Sequence, residues 1–384
     1  MRRADVATLL AGTRVCVIGG SGGVGKTTTS AAIAAGMAAR GLKVAVVTID
    51  PAQRLATALG LGELGNAPRR IDPERFAAAG LQLGDGELWA MTLDPKRTFD
   101  ELIARLSPDA DTRERILANR VYGELSDAIA GSQEFTAVAK LYDLAQEGDW
   151  DLLVLDTPPS RNALDFLDAP DRLAAFFEGR ALQALLRGGG AGLRLLGRGA
   201  GLALGLLRRV TGAELLSDLS DFFRLLGGLL GGFRERAEQV EALLRAPDTT
   251  FLLVTSPERE PIEEAIFFQR RLRAAGMTLG GAIVNRVHAE AMAIGAADED
   301  DASLADLPAR LEREAGLSPA LAKTVAAAFA DEHALARRDA ANVARLAQRL
   351  GADLALLRVP LLDGDVHDLD GLVRLGAQLF ADQA

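Results

Sequence analysis

Seven short apolar runs punctuate the chain: RVCVIG (14–19), KVAVVTID (43–50), ELWAMTLD (87–94), DLLVLD (151–156), TFLLVTS (250–256), GAIVNRV (281–287) and LALLRVP (354–360). Each has the length of a strand, and segments with apolar residues at helical spacing separate most of them. Apolarity within a run is continuous rather than alternating, which requires burial on both faces. The pattern therefore predicts an α/β fold with a largely parallel sheet and helices above and below it. Roughly ninety residues separate DLLVLD from TFLLVTS, too many for a crossover with a single helix, and residues 98–147 are also mostly helical in pattern. The expected organisation is a core of residues 1–97, 148–165 and 246–384 with a helical subdomain built from 98–147 and 166–245. No internal repeat is evident, and ADEDDASLAD (297–306) reads as a solvated acidic loop.

The first apolar run leads directly into VIGGSGGVGKTTTS (17–30). Gly20, Gly25, Lys26 and Thr27 satisfy G-x-x-x-x-G-K-[ST] between a predicted strand and a predicted helix, the context a phosphate-binding loop needs. In such a loop the backbone amides of residues 20–28 (Gly20, Ser21, Gly22, Gly23, Val24, Gly25, Lys26, Thr27 and Thr28) curl around the β-phosphate. Lys26 reaches the β- and γ-phosphates and Thr27 ligates Mg²⁺. ATP and Mg²⁺ are the expected ligands, and the fold class sharpens to a P-loop NTPase. Asp50 and Asp156 end two further strands, where open α/β sheets bind ligands. Asp156 suits the task of holding the Mg²⁺ hydration shell, against the plainer reading of an ordinary strand-ending aspartate. On its own Asp50 reads more readily as the N-cap of a helix over PAQRLATALG, but beside the phosphate loop it reads as the residue that orients or deprotonates an attacking water.

Composition narrows the partners. The 384 residues carry a net charge of −10, which argues against a sequence-independent grip on nucleic acid. One cysteine, Cys16, excludes an intrachain disulfide framework or a cysteine-based metal or metalloid cluster, and a buried place in its strand is the expectation. The first residues, MRRADVATLLAGTRVCVIGG, show neither an uninterrupted apolar stretch nor a cleavage site, so a cytoplasmic location is expected.

GGVGKTTT, TIDPAQRLATALGL and DTPPSRNALDFLDAP together resemble the ArsA/Get group of P-loop ATPases, and GSQEFTAVAKLYDL, TGAELLSDLSDFF, TSPEREPIEEAIFF, IVNRV and VPLLDGDVHDLDGL extend the resemblance through nearly the whole chain. The resemblance implies ATP hydrolysis in a face-to-face dimer, with Asp50 in a first switch and DTPPS in a second. It further implies Asn285 and Pro360 at the adenine and Glu258 facing the nucleotide of the opposite subunit. The family usually carries a lysine at the place of Ser21 that crosses to the partner's phosphates, and a serine cannot carry that charge. Three readings follow: a slow nucleotide switch, a substitute cation such as Arg54 or Arg161, or a heterodimer with a paralogue that supplies the lysine. Ser21 also reads simply as a small polar turn residue. Relatives tend to have histidine at the place of Asn162. A positioning ATPase of the ParA/MinD kind is a further alternative, disfavoured by the long insert and by a tail, GLVRLGAQLFADQA, with a single arginine.

Residues 180–233 are rich in Leu, Gly and Arg, with no uncharged run near the roughly twenty residues that span a bilayer. Arg180, Arg187, Arg194, Arg198 and Arg209 fall within about 60° on a helical wheel, opposite a broad apolar face, and Gly188, Gly189 and Gly190 interrupt it. Helices that merely cover the sheet, a groove for an apolar client protein, and contact with anionic lipid are the three readings.

Overall fold

Eight strands form one sheet in the order β3-β4-β2-β5-β1-β6-β7-β8 among the residues that the computed structural model describes, which are 5–50, 52–120, 122, 133–157, 221–222, 224–288, 306–351 and 354–381. The strands are β1 (Val15–Gly19), β2 (Lys43–Thr48), β3 (Arg69–Arg70), β4 (Glu87–Thr92), β5 (Leu152–Asp156), β6 (Thr249–Thr255), β7 (Leu279–Val287) and β8 (Ala355–Pro360). Seven of them are the predicted apolar runs, and every pairing is parallel except that of β3. The two-residue β3 was not predicted because Arg69 and Arg70 carry no apolar signal; it exists by antiparallel pairing with Ala90 and Trp89 at the sheet edge.

Alternation along each strand divides its side chains between two cores. Val15, Val17, Ala45, Val47, Leu153, Leu155, Phe251 and Leu253 enter one. Cys16, Ile18, Val44, Val46, Leu152, Val154, Leu252 and Val254 enter the other. The first core is closed by helices Pro95–Leu106, Gln133–Glu147, Leu230–Arg245, Arg259–Ala274 and Pro319–Leu350. The second is closed by helices Lys26–Ala38, Arg54–Ala58, Pro73–Ala78 and Leu369–Leu379. Both faces being covered explains why the runs are continuously apolar. Among the described residues of 98–147 the helical pattern is present as three helices, the third being Ala110–Leu117, and residues of all three share a core with the sheet.

Most of the insert 180–233, together with Arg161 and Asn162, lies outside the described residues, as do residues 297–305 of the acidic loop. Among the described residues no helix is long and apolar enough to cross a membrane. From β1 the chain crosses to β2 on one side, while β6, β7 and β8 extend the other. The carboxyl ends of β1 and its neighbours thus frame a crevice at a topological switch point, where doubly wound sheets bind ligands.

Candidate functional site

The loop that leaves β1 is shaped by close backbone contact. A Cβ at Gly20 would lie 2.0 Å from the carbonyl oxygen of Val254, so only glycine lets the loop press against β6. At Gly25 (φ 94°) a Cβ would meet the Asn285 amide at 2.5 Å, and Gly23 (φ 78°) is also left-handed. Val24 is buried and pins the loop, whereas Gly22 and Gly23 are exposed. Gly25 then opens the Lys26–Ala38 helix with no side-chain cap and no acidic residue in its first turn. Some of the other helices receive side-chain caps, from Asp94, Asp109, Ser318 and Asp368, and some do not. An uncapped, electropositive helix end facing a glycine loop is suited to an anion.

Lys26 is 6 % exposed, and its Nζ donates to the Ser21 carbonyl oxygen at 2.8 Å. Burial lowers its pKa, with Asp156 pulling the other way. The Thr27 and Thr48 hydroxyls donate to the same oxygen of Asp156, Oδ2, at 2.6 and 2.7 Å. The second oxygen, Oδ1, is buried and has no hydrogen-bond partner among the described residues. Burial pushes the Asp156 carboxyl up to about 6, against the two hydroxyls and Lys26. A buried, unsatisfied carboxylate oxygen costs free energy. Beside the Thr27 hydroxyl, it forms a hard-oxygen donor set that fits a hydrated Mg²⁺.

Asp50 joins the same network through Thr48, whose Oγ1 accepts from the Asp50 amide at 3.2 Å. Asp50 Oδ1 accepts from the Ala52 amide at 2.9 Å, and Oδ2 lies 3.5 Å from Arg54 Nε. The Arg54–Ala58 helix begins at Gln53 (φ 54°), so the reading of Asp50 as an N-cap does not hold. Arg54, considered as a substitute cation, is engaged with Asp50.

The remaining sequence-derived residues divide into those that touch the loop and those that do not. Asn285 Nδ2 donates to the Val24 carbonyl at 2.9 Å. Pro360 ends β8 beside Val287 and Glu258 is exposed after β6; both stand at the carboxyl edge of the sheet. Thr28 is half-buried in the first helical turn. Ser21 Oγ is buried without a partner among the described residues. Cys16 is wholly buried, and burial pushes its thiol pKa upward.

Three residues at the site were not singled out from the sequence. Thr48 completes the clamp on Asp156, and its hydroxyl at the end of an otherwise apolar run was the available signal. Thr157 donates from both its amide (3.3 Å) and its hydroxyl (2.7 Å) to the Ile18 carbonyl, tying the end of β5 to β1. Arg286 NH1 donates to the Gly23 carbonyl at 3.1 Å, a contact that no local pattern signals.

The profile of the anion-transporting ATPase family (ArsA ATPase) matches residues 13–187. The chain is 27 % identical to the Arabidopsis thaliana protein ATPase GET3A over 272 residues, covering 70 % of this chain and 66 % of that protein. It is 31 % identical to ATPase get3 of Aspergillus terreus over 156 residues, and 30 % identical to ATPase GET3 of Ajellomyces dermatitidis over 154 residues. These two matches cover 40 % of this chain and 42 % of each relative. The chain thus spans less than two thirds of the length of the curated relatives it matches. A glycine loop opening an uncapped helix, Thr27 and Thr48 converging on Asp156, and these matches together make the chain similar to the ArsA/Get-type P-loop ATPases over its first half.

Proposed function

We propose that the chain binds ATP with Mg²⁺ and hydrolyses it, acting as a dimeric switch that couples its nucleotide state to an apolar client protein or a membrane partner, in the cytoplasm. The observation that carries this reading is the convergence of Thr27 and Thr48 on a buried Asp156 whose second oxygen has no partner among the described residues, at the foot of the glycine loop. Residues 20–28 hold the phosphates through backbone amides, and the Lys26 ammonium exchanges its bond to the Ser21 carbonyl for phosphate oxygens. Thr27 and Asp156 hold Mg²⁺, directly and through its water shell. When bound, the ion neutralises charge on the phosphate oxygens.

Asp50 orients the attacking water. Its tie to Thr48 links that task to the residues around the metal. Asn285 and Pro360 border the adenine, and Glu258 faces the second subunit. On this reading the client meets the stretches 98–147 and 166–245, of which residues 166–220 lie outside the described residues. The related proteins named above are themselves called ATPases, which supports the activity.

A second reading is a slow or partner-dependent subunit of a heterodimer. It is favoured by Ser21, whose short neutral side chain is buried rather than extended from the loop. Phosphate release by the purified chain, alone and with paralogues, tests both readings. Lys26→Ala abolishes release, and Asp50→Asn binds ATP without turning it over. Wild-type rates in Lys26→Ala would refute ATP hydrolysis at this loop.

A further inference from the structure

Consecutive residues of a strand point to opposite faces of the sheet. Asn285 and Arg286 of β7 break that rule, since their side chains donate to the carbonyls of two consecutive loop residues, Val24 at 2.9 Å and Gly23 at 3.1 Å. Two local distortions accompany this. The register between β7 and β8 shifts between Val284 and Val287, and such irregularities re-aim side chains. Arg286 also has φ 61°, one of only two left-handed non-glycine residues among the described residues. The other, Gln53, follows Asp50 at the same site. Strained backbone of this kind persists where surrounding structure holds it, and it concentrates at functional sites.

The surrounding structure is identifiable. The Arg286 amide donates to Asn285 Oδ1 at 3.0 Å, which orients the Asn285 amide group so that its nitrogen faces Val24. Two residues on, His288 Nδ1 lies 2.6 Å from Asp339 Oδ2, and the His288 amide donates to the same oxygen at 3.2 Å. Asp339 is fully buried on the Pro319–Leu350 helix, and Arg338 donates to its other oxygen at 2.9 Å. The end of β7 is thereby bolted to the long helix. Arg286 itself is exposed, and its guanidinium is turned to the Gly23 carbonyl.

In a phosphate-binding loop the amides converge on the ligand and the carbonyls face away from it. We propose that Arg286 is a positioning residue: it grips the outer wall of the phosphate loop through Gly23, holding the amides in their binding arrangement and adding positive charge close behind them. The proposal rests on the nucleotide reading given above. A preorganised loop loses less freedom on binding, so the grip appears as affinity. The cost is the left-handed backbone at Arg286, which asparagine tolerates better.

Calorimetric titration of the full chain with Mg-ATP, paired with thermal denaturation of the ligand-free chain, tests this. Arg286→Asn raises Kd about tenfold, the effect of one lost charge-assisted hydrogen bond, while its Tm equals or exceeds that of wild type. Arg286→Lys, which keeps the charge and a donor, recovers most of the affinity. Affinity within twofold of wild type in Arg286→Asn overturns the proposal, as does an equal loss in the lysine variant. Failure of the wild-type chain to bind Mg-ATP is a different result, and it refutes the nucleotide reading itself.

Discussion

Asp156 shows most directly how single residues at this site exchange stability for function. Its carboxyl is held up to about 6 by burial, above the unfolded value of about 3.9. The folded chain therefore binds this proton more tightly than the unfolded chain does. The stabilising contribution is full below about pH 4 and is lost as pH rises through about 6. Asp156→Asn removes the buried charge, so at pH 7 without nucleotide it holds or raises stability, by roughly 1–3 kcal/mol, while Mg²⁺-dependent nucleotide binding is lost. Thermal denaturation with and without Mg-ATP checks both halves. For the same reason, Mg²⁺ affinity of the wild type rises as pH climbs from 5 to 7, which magnesium titrations at fixed nucleotide would follow. Gly20 exchanges nothing. Gly20→Ala drives a Cβ into the Val254 carbonyl and costs roughly 2–4 kcal/mol in urea denaturation, because the obstacle is backbone and cannot rotate away.

Elements were legible where chemistry follows local order, and obscure where it depends on crossings between segments distant in the chain. Seven strands could be read from apolar runs because each side of the sheet has its own core, and the loop because its glycines, lysine and threonine are contiguous. Thr48 and Asp156 are 108 positions apart, and Arg286 and Gly23 are 263 apart, so their meeting is a product of strand order. The Pro319–Leu350 helix makes the point at the scale of an element. Its Asp339 receives His288 at the end of β7, and three residues further on Asn342 Nδ2 donates to the Pro257 carbonyl beyond β6 at 2.9 Å. One helix thus fixes two strand ends at the candidate site, next to Glu258 and Asn285. Asp339→Ala strips a buried acceptor from the His288 amide and ring and leaves them unpaired. A loss of roughly 2–4 kcal/mol in chemical denaturation is the expected outcome.

For the whole molecule, two covered faces and an open carboxyl edge leave the crevice around β1 as the place for chemistry. The net charge of −10 is set against a site that gathers Lys26, an uncapped helix end and, from β7, Arg286. On the dimer reading, what the chain lacks is a cation at position 21 to reach across an interface. Ser21→Lys should then raise phosphate release of the isolated chain by at least roughly tenfold, and an unchanged rate would favour the partner-dependent subunit. The expectations about nucleotide and phosphate release depend on the glycine loop gripping a triphosphate with Mg²⁺. Isothermal calorimetry of the wild-type chain and Lys26→Ala with Mg-ATP measures that grip. Saturable heat in the wild type, with affinity at least about a hundredfold weaker in the variant, is predicted; no heat in the wild type, or equal affinity in the two, would contradict it.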